Sequence, residues 1–344
     1  MRWILRLLVA TVVLGALGAF AALRWVESTA TTPVAPGDQT RVELEVPKGA
    51  TLVRVGTLLE REGFITSALA WRAYWKLHPP LEAKAGRHMV SRGMDMPALL
   101  AALAENPIVD EIPLTIVEGW RLRDIDAFLV EQGLAKPGAF IAAASEPARY
   151  VLRFVPTGEK FEPTNLEGYL YPETYKIPKD GPLDLARLVQ RQLDTFHERF
   201  AGPYADEITK GSRSLHALVT MASMLEREEP KPAVRPKVAG VLWKRIDKGM
   251  PLGVDATSRY GLADWNDRGA FLKKLRDPSD TYNTRLHAGL PPGPIGAPAL
   301  PSLVAALRPE ASPYWYYLHD AEQNIHFAKD GAGHEENRRV YDVY

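Results

Sequence analysis

The chain has 344 residues, of which 46% are hydrophobic, and it carries 42 basic side chains, 42 acidic side chains and no cysteine. This length allows two or more domains with a sizeable core. A net charge of zero gives no support to a nucleic-acid binder, which normally carries a basic face, and the absence of cysteine excludes disulfides, thiolate catalysis and cysteine-ligated zinc.

The N-terminal segment predicts a membrane anchor over residues 7–26. Leu7 to Leu23 contain no charged residue, and this apolar run is long enough for one membrane helix. A cleavable signal peptide is the alternative, since Ala19-Phe20-Ala21 offers small residues to a peptidase. An uncleaved anchor is favoured because the run is longer than a signal core. The arginines in residues 1–6 predict that this tail lies in the cytoplasm. The rest of the chain is then expected to be exported.

A composition change separates the anchor from the following modules. Residues 27–40 are rich in proline and threonine and are predicted to be a linker. A strand–turn–helix–glycine unit then occurs twice, because Gly49 and Gly63 recur as Gly119 and Gly133, 70 residues further on in both cases. This constant offset predicts an internal duplication.

The stretch from Ser214 to Glu229 predicts a helix with one buried stripe, capped by Ser214 and ended by Pro230. Glu226 continues the apolar stripe near the end of the helix, whereas Glu228 points about 200° away. A carboxyl on an apolar face is costly to ionise, so its pKa is expected to rise, as a general acid requires. The alternative is a frayed last turn in which water solvates Glu226.

Three other stretches are candidates for a binding groove. Residues 165–175 combine aromatic rings with carboxylates, which suits sugar binding and equally suits a strand–turn with one packed face. Asp255 and Thr257 either cap a helix or line a site, and capping is favoured. The proline- and glycine-rich run 289–295 cannot be helical and predicts a rigid loop, where binding groups are often placed.

Other classes of catalytic site find little support. The eight histidines contain no His-Glu-x-x-His motif, and His319 and His326 are the only close pair. There is no nucleophile-elbow signal for Ser-His-Asp catalysis either. We therefore expect no metal and no cofactor.

The ordered motifs resemble those of the endolytic murein transglycosylase family, also called YceG-like. They are the 166–175 segment, the helix through Glu226, Asp255-Ala-Thr, Tyr282-Asn283-Thr284 and the Gly289–Ile295 run. The resemblance runs from about Val46 to the C-terminus. It implies an α+β protein of the cell inner membrane, with a periplasmic LysM-like module over residues 41–108 and a catalytic domain over residues 109–344.

The resemblance also implies the site residues and the reaction. The catalytic glutamate of the family falls on Glu226, and the residues carried over as substrate-binding are Glu167, Tyr171, Asp255, Tyr282 and Asn283. The expected reaction is non-hydrolytic cleavage of the MurNAc–GlcNAc bond in nascent peptidoglycan glycan strands, with 1,6-anhydro ends as products and peptidoglycan synthases as possible partners. A hydrolytic muramidase and a non-catalytic wall-binding scaffold are the alternatives.

Overall fold

The computed structural model describes residues 2–78, 81–155 and 163–342. The chain folds into two compact units, residues 1–110 and residues 111–344. Both units combine helices with short antiparallel strand pairs, which confirms the predicted α+β class.

The elements of the first unit are, in order, α1 (Arg2–Thr31), β1 (Val42–Val46), α2 (Leu52–Arg61), α3 (Ala68–Leu77), β2 (Gly86–Val90) and α4 (Met96–Ala104). Thr51, Ser67 and Asp95 begin α2, α3 and α4, each by accepting a hydrogen bond from a backbone N–H of the first turn. β1 and β2 pair antiparallel, and the helices pack around a fully buried Trp71. Its indole N–H donates to the carbonyl of Leu52 at 2.8 Å.

Helix α1 extends further than the sequence predicts. Residues 6–31 form a helix long and apolar enough to cross a membrane. The helix continues through the first five residues of the predicted linker 27–40, and Val26 and Ala30 are buried in the core of the first unit, where α1 contacts α3 and α4. The helix thus continues past the predicted end of the anchor at residue 26, because Val26 and Ala30 gain burial by staying helical.

The second unit opens with the same order of elements as the module in the first. Strand β3 (Glu111–Thr115), helices α5 (Leu122–Glu131) and α6 (Ala139–Ala144), and strand β4 (Thr174–Pro178) repeat the strand–helix–helix–strand arrangement, and β3 pairs antiparallel with β4. The equivalent turn glycines Gly49 and Gly119 have φ angles of 74° and 75°. This agreement supports the predicted duplication.

The rest of the second unit is mainly helical. Its elements are α7 (Leu185–Phe196), α8 (Ala205–Lys210), α9 (Leu215–Glu228), α10 (Arg235–Asp247), α11 (Asp255–Arg259), α12 (Arg268–Lys274), α13 (Leu300–Leu307), the antiparallel pair β5 (Tyr316–His319) and β6 (Ile325–Ala328), and α14 (Gly331–Val340). Helices α8 and α12 were not predicted, because two turns carry too few residues for a periodic pattern.

Helix α9 is the centre of this unit. It begins at its cap Ser214 and ends at Glu228, as the sequence predicts. The prediction of a single buried stripe is wrong, since every residue from Leu218 to Leu225 is buried. Helices α10 and α13 pack against α9, and a helix covered on several sides no longer shows a solvent face.

The proline- and glycine-rich segment 289–299 lies along α9. The Pro292 carbonyl is 3.2 Å from the His216 ring, and the N–H of Ile295 donates to the hydroxyl of Ser223 at 3.0 Å. Further along, the N–H of Ala299 reaches Glu226. The segment thus follows α9 from its first turn to its last.

Candidate active site

Glu226 lies in the last turn of α9 with its carboxyl turned away from solvent. Its side chain is 5% exposed, so the frayed, solvated alternative does not hold. One carboxyl oxygen, Oε1, lies 3.0 Å from Nη2 of Arg235, whose side chain is 6% exposed. The other, Oε2, accepts a hydrogen bond from the N–H of Ala299 at 2.9 Å. The expected purely apolar environment is therefore wrong: the carboxyl is buried but paired with a cation and a backbone donor.

Arg235 holds three parts of the fold together. Besides Glu226, its guanidinium donates through Nε to the carbonyl of Glu229 at 2.8 Å and through Nη1 to the hydroxyl of Ser302 at 2.9 Å. Each of its three nitrogens thus has a partner. Since these partners belong to the end of α9 and to α13, Arg235 fixes the carboxyl of Glu226 between the two helices.

Tyr171 lies at the same end of α13. The backbone of Leu300 faces its phenol group, next to the Ala299 N–H that holds Glu226. Burial raises the pKa of the Tyr171 phenol, and the nearby carboxylates of Glu173 and Glu226 raise it further. The structure therefore brings two of the predicted site residues, Glu226 and Tyr171, to one place.

Glu167 has a different environment. Both oxygens of its carboxyl accept the N–H of Leu122 at 3.2 Å, at the first turn of α5, and one of them accepts the hydroxyl of Tyr260 at 3.1 Å. Burial raises the pKa of Glu167 to about 7. The ring of Tyr282 packs on that of Tyr260 with centroids 4.7 Å apart, so Tyr260 connects the buried Glu167 to the half-buried Tyr282.

Residues 44–340 of the chain match the sequence profile of the YceG-like family. The chain belongs to this family. The endolytic murein transglycosylase of Bacillus subtilis (strain 168) is 29% identical over 319 residues, which span 90% of this chain and 87% of that protein. The endolytic murein transglycosylase of Streptococcus pneumoniae serotype 2 is 25% identical, over 89% of this chain and 59% of that protein.

The fold is also similar to a solved structure of the YceG-like family. A YceG-like protein from Listeria monocytogenes superposes with a TM-score of 0.58 and 27% identity, over 87% of this chain and 100% of that chain. The similarity therefore extends across the whole of that solved chain.

Asn283 and Asp255, which the YceG-like resemblance implies for substrate binding, both make contacts within the protein. Asn283 is fully buried; its amide donates to the carbonyl of Lys274 and accepts from the N–H of Arg285. The direct sugar contact expected of Asn283 is therefore not supported, because its side chain shapes its own loop. Asp255 is the first residue of α11, half-exposed and paired with Arg285.

Sequence reasoning missed two charged residues near Glu226, Arg235 and Arg227, and it misjudged the burial of Glu228. Arg235 gave no periodic signal, because its contact crosses the turn between α9 and α10. Arg227 bonds the carbonyl of Gly119, and burial lowers its pKa. Glu228, which the periodicity placed on the far side of the helix, accepts the hydroxyl of Tyr317 at 3.1 Å, and burial raises its pKa to about 7.

Proposed function

We propose that this YceG-like protein is a membrane-anchored lytic transglycosylase that cleaves the MurNAc–GlcNAc β-1,4 bond inside nascent glycan strands. The observation that carries the proposal is the carboxyl of Glu226, buried at the end of α9 and oriented by Arg235 and the Ala299 N–H. The two relatives named endolytic murein transglycosylase support peptidoglycan as the substrate class.

Glu226 acts first as an acid and then as a base. A carboxyl group offers about four lone-pair positions, and the two donors occupy two of them, which leaves room for the transferred proton. The protonated group gives its proton to the glycosidic oxygen as the bond from that oxygen to the muramic C1 breaks. The muramic C6 hydroxyl then bonds to C1 and returns its proton to the Glu226 carboxylate. The product is a 1,6-anhydro ring, and no water is consumed.

The first unit is proposed to serve as a LysM-like module that grips glycan. Its paired strands flank two helices, and the duplicated unit over residues 111–178 has the same order of elements. Helix α1 would anchor the protein in the inner membrane with its arginine-containing start in the cytoplasm and both units in the periplasm. Peptidoglycan synthases that supply the nascent strand are the proposed partners.

The test compares Glu226→Gln with Glu228→Gln in the full-length protein in detergent, acting on uncrosslinked glycan strands. Glu226→Gln is expected to abolish cleavage, since an amide cannot donate and retrieve the proton, whereas Glu228→Gln retains it. Mass spectrometry of the products decides the reaction, because anhydro ends are lighter by one water than the reducing ends of a hydrolase. Normal turnover by the Glu226→Gln protein would show that Glu226 is not the catalytic acid. If the wild type binds strands without cutting them, the protein is a non-catalytic scaffold.

A further inference from the structure

The second unit contains an open groove that the catalytic step does not use. It has a volume of about 550 Å³. The groove is lined by aromatic and charged side chains, among them Trp120, Phe128, Trp265, Arg121, Asp124 and Arg227. The rings of Trp120, Phe128 and Trp265 are all half-buried, so each keeps an exposed part.

Neighbouring side chains fix the rings of this groove. The Trp120 and Phe128 rings pack with centroids 5.1 Å apart. The guanidinium carbon of Arg227 lies 4.2 Å from the centre of the Trp265 ring, and that of Arg121 lies 5.4 Å away. The rings are thus held in place before any ligand arrives, which lowers the entropy cost of binding.

One short backbone segment links the edge of the groove to the surroundings of Glu226. The chain at Gly119 and Trp120 pairs with Ala297 through two backbone hydrogen bonds, of 2.7 and 2.8 Å. Two residues after Ala297, the N–H of Ala299 holds the carboxyl of Glu226. Two extended residues span about 7 Å, roughly the length of one sugar and its linkage. The groove therefore lies within about one sugar length of the Glu226 contact, measured along this segment.

The charges of the groove are balanced. Arg121 is 3% exposed and binds both carboxyl oxygens of Asp124, at 2.7 and 2.9 Å. The lining contains one further cation, Arg227, which lies 3.9 Å from the carboxylate of Asp124, and one further carboxylate, Glu131. A groove without excess charge has no preference for an anionic ligand. Ring faces beside polar groups instead suit a neutral ligand that has an apolar face and hydroxyl and amide groups at its edges.

From these observations we infer that the groove binds an N-acetylated sugar of the glycan strand, adjacent to the bond that is cut. The inference rests on the proposed function and extends it by a second, non-catalytic sugar site. Trp265 provides the ring face on which the sugar stacks, and Arg227 holds that ring in position. Arg227 follows Glu226 directly in α9, so the same helix turn supports both the catalytic carboxyl and the sugar platform.

The test measures strand binding by the full-length Glu226→Gln protein in detergent, which cannot consume its ligand. The probes are uncrosslinked glycan strands with stem peptides and the same strands after enzymatic removal of the peptides. Trp265→Ala is expected to weaken the binding of both probes by about tenfold, the value of one lost aromatic stacking contact. Trp315→Ala is the matched control, since Trp315 is also half-buried with a cation, Lys244, 4.1 Å from its ring, but lies outside the groove.

Unchanged affinity in the Trp265→Ala protein, or an equal loss in the Trp315→Ala protein, overturns the inference. A loss confined to stem-bearing strands also overturns it, because the peptide would then be the occupant of the groove. The result is separable from the proposed function: a wild type that leaves no anhydro ends refutes the reaction, whereas the binding series alone decides whether the groove holds sugar.

Discussion

At the scale of single residues, the pairing of Glu226 with Arg235 is the main finding. A buried ion pair contributes little net stability, but losing one partner leaves an uncompensated charge and costs about 3–5 kcal/mol. The pair therefore serves orientation more than stability. Because Arg235 also binds Glu229 and Ser302, its guanidinium is held in position beside the carboxyl of Glu226.

Glu167 predicts a pH dependence of stability. Burial raises its pKa from 4.5 to about 7, so the folded protein binds this proton more tightly than the unfolded chain. The proton on Glu167 therefore adds about 3 kcal/mol to the free energy of unfolding below about pH 4.5. This stabilisation is lost as the pH rises to about 7. Between pH 4.5 and about pH 7, the free energy of unfolding should therefore decline by about 3 kcal/mol less in the Glu167→Gln protein than in the wild type.

Urea unfolding between pH 4.5 and pH 8, followed by tryptophan fluorescence, measures this difference. Glu198→Gln, at an exposed position in the same unit, is the control and should follow the wild type. If the decline of the Glu167→Gln protein is as steep as that of the wild type, Glu167 is not the group that titrates.

At the scale of elements, the segment 289–299 packs along helix α9 and contacts Glu226. The sequence predicts both as separate pieces: a capped helix and a rigid loop. Their contacts, such as Ile295 to Ser223 and Ala299 to Glu226, join residues more than 70 positions apart and leave no local pattern. This is why the surroundings of Glu226 could not be predicted.

Gly296 permits the close approach of this segment to the turn at Gly119. Its φ is 155°, and a Cβ added there would lie 2.4 Å from the carbonyl oxygen of Gly119. Gly296→Ala is therefore expected to lower the free energy of unfolding by about 3 kcal/mol or more and to displace the Ala299 N–H from Glu226, with loss of cleavage.

Gly289→Ala is the matched control for this substitution. Gly289 also has a positive φ, of 91°, but a Cβ there would meet no atom within 4 Å. Its cost should be limited to backbone strain, about 1–2 kcal/mol. Chemical unfolding of both proteins measures the difference, and equal losses would show that the contact with Gly119 is unimportant.

At the scale of the whole molecule, α1 joins the proposed membrane anchor to the first unit without a flexible break. Val26 and Ala30 are 6% and 0% exposed, whereas Leu23, one turn earlier, is 50% exposed. The apolar side chains of α1 are therefore exposed up to Leu23, whereas Val26 and Ala30 pack into the core of the first unit. This arrangement limits how freely the first unit can turn relative to the membrane.

This continuity predicts where the chain can be shortened. A protein that begins at Ala21 keeps Val26 and Ala30, and one that begins at Thr32 loses both. The shorter protein should be less stable by about 2–4 kcal/mol in the first unit, because two buried apolar side chains are missing. Thermal unfolding of the two proteins checks this, with Leu23→Ala in the longer one as the control. Equal melting temperatures would mean that the end of α1 does not stabilise the core.

The sequence by itself determined the α+β class, the duplicated unit, the position of α9 and the choice of Glu226, because helix periodicity, caps and turn glycines are local and ordered motifs identify a family. Only the tertiary structure decided what surrounds Glu226 and which aromatic residues remain exposed. Tyr169 and Tyr175 are buried at 1% and 3% exposure, so the aromatic stretch 165–175 is chiefly core rather than a sugar platform. Trp120 and Trp265, far apart in the chain, meet at the open groove instead. Such placement depends on long-range packing, which no local pattern of residues encodes.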